Sequence, residues 1–266
     1  MVLSCLRAQA LHALVEPCVK EKSSLVRALY ERSQPFVDTA AIYTSSEAIP
    51  GRPPLPKIVP PQQVKHRGLG TVEGRAALIH ALAHIEFNAV NLALDIMWRY
   101  PDMPSEFYGG WLSVAYEEVL HFNLLADHLH VLGFEYGSFT AHDGLWDMAE
   151  RTKDDLLARL ALVPRTLEAR GLDACPIVRE KLANAGDHAA AAILDIILRD
   201  EVGHVALGNY WYRRLCAQQQ LDSVALYPEM AARYRAPRLR GPFNKPARLK
   251  AGFVPEELEW LEMQAP

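Results

Sequence analysis

Apolar residues recur every three to four positions over four long stretches of this chain, and that spacing predicts four amphipathic helices. The first covers about residues 71–99 and stops before Pro101. The second covers about 105–132 and stops at Gly133, and the third covers about 145–170 and stops at Gly171. The fourth covers about 187–218, preceded by a short helix at about 176–184. At about 1.5 Å per residue these helices are roughly 40–48 Å long, a length typical of four-helix bundles. Residues 4–33 read as helical with an interruption at Pro17, and the Pro-rich stretch 48–64 reads as an extended arm. The expected organisation is all-α. An N-terminal helix and arm (1–70) pack on a four-helix bundle (71–218), followed by a basic, Pro-rich extension (219–266) that ends in a short helix at 255–263.

Composition narrows this picture without redirecting it. Half of the residues are apolar and the net charge is -4, as in an ordinary globular protein and unlike a general nucleic-acid binder. Cys5, Cys18, Cys175 and Cys216 are scattered with no Cys-x-x-Cys, which fits a reducing cytoplasm. Arg7, His12 and Glu16 break the N-terminal apolar run, so no signal peptide is expected. No run of 18 apolar residues exists, so no membrane span is expected either.

Candidate chemistry comes from two Glu-x-x-His quartets, Glu118–His121 and Glu201–His204. Residues i and i+3 share a helix face, so each quartet aims a carboxylate and an imidazole at one point. Both quartets lie on apolar stripes: Glu118 with Val114, Ala115, Phe122 and Leu125, and Glu201 with Leu194, Ile197, Leu198 and Val205. Glu86 sits among Ile79, Ala83, Val90 and Ala93, and Glu168 lies in line with Leu157, Leu160 and Ala161. One glutamate on an apolar stripe ordinarily reaches solvent or pairs with an arginine, and Arg165 and Arg170 are such alternatives for Glu168. Four of them, one per helix, call for compensating positive charge. No matching set of Lys or Arg lies on these stripes, and two divalent ions would supply the charge. Glu117 and Asp200, next to the quartets, are placed to accept the free ring N–H of a metal-bound histidine.

One Glu from each of two helices plus one Glu-x-x-His from each of two others resembles the ferritin-like di-iron and di-manganese carboxylate proteins. The order Glu86, Glu118/His121, Glu168, Glu201/His204 matches the helix order of that superfamily, and Asp200–His204 looks like the Asp-Glu-x-x-His of its oxygen-activating members. The segments Pro164–Asp173 and Pro242–Phe253 resemble more narrowly an uncharacterised bacterial ferritin-like family, a domain of unknown function, over about residues 5–263. A more distant resemblance is to the di-iron tRNA hydroxylase. These resemblances imply a ferritin-like bundle, two iron (or manganese) ions, O2 as co-substrate and an oxidase or hydroxylase reaction. A protein electron donor is compatible with them. A ferroxidase or iron-storage protein is the alternative, which the long terminal extensions disfavour, and a structural bundle with a vestigial site is a third.

Two further features stand apart from this set. His80, His84, Asn88, Asn91 and Asp95 form one polar stripe on the first long helix, well round from Glu86, and read as a contact for the N-terminal arm or a partner. A zinc-protease motif would need Glu where Ala81 stands. Segment 231–250 carries seven basic residues and no acidic one. Arg235, Arg238 and Arg240 are its candidates for binding an anionic substrate, tRNA being the most specific, and Pro237, Pro242 and Pro246 are expected to keep it extended. The other reading is a tail packed on the bundle.

Overall fold

The structure, a computed structural model, describes residues 5–32 and 35–264. Among the described residues all regular structure is helical, with only isolated bridges of extended backbone, so the chain is all-α. It divides into two compact units, Met1–Asp143 and Gly144–Pro266.

The first unit is built on two long helices, α3 (Val72–Arg99) and α4 (Ser105–Val131), joined by five residues that force them antiparallel. Thr71 caps α3 by accepting the Gly74 N–H at 3.1 Å, and Gly133, at φ +82°, follows the end of α4. The N-terminal stretch forms α1 (Leu6–Val15) and α2 (Val19–Tyr30), broken at Pro17 as expected, while Ser4 and Ser33 lie outside the described residues. α1 packs on α3, and α2 packs on α4. The Pro-rich arm is extended apart from a 3-10 turn at Pro61–Gln63, and it pairs with the stretch after α4 through Val59 N–H to Ala141 O at 2.8 Å.

Buried cations tie these pieces to α3. The Arg7 guanidinium donates to Met97 O, Trp98 O and the carbonyls of Asp38, Thr39 and Ala41, so it caps the last turn of α3 and holds the arm at once. Lys22 donates to Leu14 O, Gly51 O and Asn91 Oδ1. The polar stripe of α3 is therefore a contact for the N-terminal segments and for the loop after α4. His80 Nε2 accepts the Gly137 N–H at 3.0 Å, and His84 Nδ1 lies 2.8 Å from the Tyr136 hydroxyl. By length and mean hydropathy α3 passes for a membrane span, yet 72% of its most apolar window is buried and the helix carries buried His80, Glu86 and Asp95.

The two histidines make the first unit acid-sensitive. Burial pushes His80 down to about 4, and burial with the charges of His80 and Arg52 pushes His84 down to about 4. The unfolded chain binds both protons below about pH 6.5, whereas the folded one stays neutral down to about 4. Stability is complete above the higher value and falls as pH drops toward the lower, by up to about 3 kcal/mol for each histidine. Urea unfolding at pH 7 and 4.5 should show this loss, and a His80→Gln/His84→Gln protein should lose markedly less between the two pH values. Equal losses in both proteins would mean that the imidazoles are already charged in the fold.

The second unit contains α5 (Gly144–Arg151), α6 (Leu156–Leu162), α7 (Ala169–Asn184), α8 (His188–Gln218), α9 (Ser223–Arg233), α10 (Lys245–Lys250) and α11 (Pro255–Gln264). The single helix expected at 145–170 is three pieces. Asp155 interrupts it by capping α6, accepting the Ala158 N–H at 2.9 Å. Pro164, which has no N–H to give, sits in a π-helical turn at Val163–Glu168 that leads directly into α7. Gly171 ends nothing: no neighbour crowds it, and α7 continues through Pro176 to Asn184, absorbing the separate short helix expected there. Only part of the basic segment is extended. Arg233 ends α9, and Pro246 lies in the first turn of α10, where proline is tolerated. α7 and α8 pack against each other, and Phe253, Leu258 and Leu261 of the C-terminal extension join Ala169, Leu172 and Val205 in one apolar cluster.

Candidate metal centre

Three of the expected ligands meet inside the first unit. Glu86 on α3 and Glu118 and His121 on α4 are buried, and their ligand atoms lie within 4.8 Å of one another. His121 Nδ1 is 3.3 Å from Glu118 Oε2 and 3.4 Å from Glu86 Oε2. The placement follows from helix period: Glu118 and His121 are one turn apart on the face that carries Val114, Ala115, Phe122 and Leu125, all buried. Phe87 and Phe122 pack with ring centroids 5.5 Å apart beside the cluster.

The electrostatics call for a cation here. Burial pushes His121 down, but the hydrogen bonds and charges of Glu118 and Glu86 outweigh it and raise the imidazole to about 11. With the protein alone, an imidazolium supplies the positive charge that two buried carboxylates need. Carboxylate oxygens with an imidazole nitrogen are also a donor set suited to iron or manganese. This buried acidic and histidine cluster is able to bind a metal ion.

The second quartet lies on α8 in the second unit. Glu201 and His204 are both buried, with His204 Nδ1 3.6 Å from Glu201 Oε1. Gly208, one turn further on the same face, meets Pro164: a Cβ there would stand 2.6 Å from Pro164 Cβ. Glycine therefore lets the face of α8 that carries Glu201 and His204 close on the π-helical turn. Glu168, the last residue of that turn, is half-buried. Its expected competitor Arg165 is committed elsewhere, to Glu257 and to Asn209 Oδ1 at 2.6 Å, and Arg170 is exposed.

The neighbouring acids fall differently. Glu117 is half-buried, and Asp200 accepts two hydrogen bonds from Arg199, at 2.7 and 3.0 Å. Arg235, Arg238 and Arg240 are exposed. Arg248, counted from sequence with the basic segment, is instead buried, donating to both Asp173 oxygens at 3.0 and 2.6 Å. The expectation that cations are missing from the greasy faces needs the same amendment. Arg159 in α6 and Arg165 in the π-helical turn are both buried, Arg159 donating to Thr152 Oγ1 and Ala149 O.

Sequence reasoning missed the polar cluster around Arg165 in the second unit. Glu257 accepts from Arg165 and, at 3.0 Å, from Arg213, and it also takes the Val254 N–H. Asn209 joins the same cluster and donates to Ala251 O at 2.7 Å. The available signal was Asn209 on the apolar face of α8 one turn past Val205, but nothing in the sequence pointed to Glu257.

A family model described as "Protein of unknown function (DUF455)" matches residues 15–259. An uncharacterized protein of Haemophilus influenzae is 45% identical over 254 residues, covering 91% of this chain and 88% of its own. No solved structure matches the chain.

Proposed function

The chain belongs to the DUF455 family, and from that premise we propose that it is a non-haem dinuclear metal protein that activates dioxygen to oxidise or hydroxylate a substrate. Glu86, Glu118, His121, Glu168, Glu201 and His204 would hold two iron ions, with manganese as the other candidate. The observation that carries this reading is the buried Glu86–Glu118–His121 cluster, whose carboxylates already draw a positive charge onto His121. The order of the six residues along the helices supports a ferritin-like bundle.

Bound iron would contribute one-electron and O2 chemistry. The protein's own residues bind, orient and exclude water. Glu86 and Glu118 present oxygens from two facing helices, and His121 would have to be neutral to serve as a ligand beside them. Ala83, Val90, Val114, Ala115 and Leu125 on the same two helices are buried and keep this region dry, which strengthens every charge interaction in it. Glu117 and Asp200 would orient the histidines from behind.

Metal analysis of the purified protein, with an optical spectrum before and after iron-loaded protein meets air, tests the reading. The expected result is about two ions per chain and an oxygen-dependent absorption change. A metal-free protein that takes up no iron would sink it. A cage-sized particle on gel filtration would move the function to iron storage.

The exposed Arg235, Arg238 and Arg240 support an anionic substrate, tRNA foremost. Replacing all three by alanine should weaken tRNA binding in low salt and reduce its salt dependence, leaving metal content intact. Equal binding by wild type and variant would point to a small-molecule substrate.

A further inference from the structure

The second unit contains a cavity that the metal reading does not use. It lies where the C-terminal extension packs over the π-helical turn, with Arg165, Arg248 and Glu257 in its lining and an accessible volume of about 20 Å³. Arg165 and Arg248 are 3% and 0% exposed. Each has most of its guanidinium satisfied, Arg165 by Glu257 and Asn209 and Arg248 by Asp173 and Ala169 O. In each, however, Nη1 is buried with no acceptor in the protein. Two such donors, on residues that line one small cavity, call for an acceptor brought from outside, because an unmade buried bond is costly.

Charge and size say what the acceptor is. Arg165 shares Glu257 with the one-third-exposed Arg213, and Arg248 takes Asp173, so three positive charges meet two negative ones and neither carboxylate is left over for the Nη1 donors. The volume exceeds only slightly the roughly 10–15 Å³ that a single water needs. The enclosed part therefore takes little more than one oxygen of a ligand's head, and the rest of the ligand must lie toward the open side. Guanidinium forks match planar carboxylates in geometry as well as charge. Tyr227, Leu239 and Trp260 line the cavity and are half-buried, so they form an apolar rim reached from solvent, with Tyr227 and Trp260 packed edge to face at 5.6 Å.

We propose that this cavity binds a small apolar monocarboxylate, its head between Arg165 and Arg248 and its apolar body against Leu239, Tyr227 and Trp260. No lining residue is a candidate metal ligand, so the site stands or falls independently of the metal reading.

Calorimetric titration of the purified full-length protein with benzoate, at constant ionic strength, tests this. Saturable binding of one benzoate per chain is expected, with none for the neutral isostere benzamide. Arg248→Gln should weaken benzoate about tenfold or more through loss of a charged hydrogen bond. That variant risks misfolding because it also strands Asp173. Leu239→Trp fills the half-buried rim without touching a charge, and it should weaken benzoate by a similar factor while keeping the wild-type circular dichroism. No saturable heat from benzoate, equal binding of benzamide, or an unchanged affinity in a folded Leu239→Trp protein would each overturn the proposal. Sulfate displacing benzoate as effectively as acetate does would overturn the carboxylate preference.

Discussion

Glu118→Ala is expected to strip the protein of most of its metal. Glu118 is 1% exposed, and its carboxylate lies 3.3 Å from His121 Nδ1, so the change removes one donor and releases the ring that another donor belongs to. Within the first unit only Glu86 and His121 would then remain as donors, one carboxylate fewer against the charge of a divalent ion in a dry site. The effect should also appear as lost stabilisation. A ligand present at about a thousand times its dissociation constant adds roughly 4 kcal/mol to the folded state. Wild-type protein should therefore melt well above its chelator-treated form, and Glu118→Ala should melt at one temperature in both conditions. A variant that retains the full metal complement, or keeps the metal-dependent shift, would place the metal elsewhere.

Glu257→Gln is expected to destabilise the fold by about 3–5 kcal/mol, the range found when one partner of a buried ion pair is removed. The pair is deeply buried, with side-chain exposures of 2% for Arg165 and 7% for Glu257. Glu257 is shared with Arg213, so the substitution strands a fully buried guanidinium and loosens a second one. Arg165 is also stacked on Tyr212, Tyr227 and Phe253, which prevents it from swinging out to solvent. Urea denaturation gives the loss directly. Combining Arg165→Met with Glu257→Leu should recover a large part of it, because a charge-free apolar pair leaves nothing stranded. A loss below about 1 kcal/mol for Glu257→Gln would mean that water reaches the pair.

The two predictions rest on residues of very different legibility. Glu86, Glu118 and His121 stood out because a carboxylate on an apolar stripe contradicts the pattern around it, and because i and i+3 spacing is a local signal. The ends of α3, α4 and α8 were readable for the same local reasons: Thr71 and Asp187 are side-chain caps, and Pro101 and Gly133 are stops. The third long helix was misjudged because Gly171 and Pro176 are usually breakers, yet here Gly171 meets no neighbour and the helix runs through both. Asp155, which caps α6, lies inside an unbroken apolar period, so periodicity alone does not reveal the interruption. Glu257 lay beyond reach because its partner is 92 residues away in sequence and no periodicity links α11 to the π-helical turn. Arg248 could not be told apart from the other basic residues of 231–250, because composition counts charges without saying which are paired.

The π-helical turn at Val163–Glu168 carries both Arg165 and Glu168 on one six-residue segment. Glu257, 92 residues further along the chain, supplies the counter-charge for Arg165. The turn that presents the Glu168 carboxylate is therefore braced by a segment remote in sequence, and a change in α11 that unseats Glu257 is expected to disturb the setting of Glu168 as well.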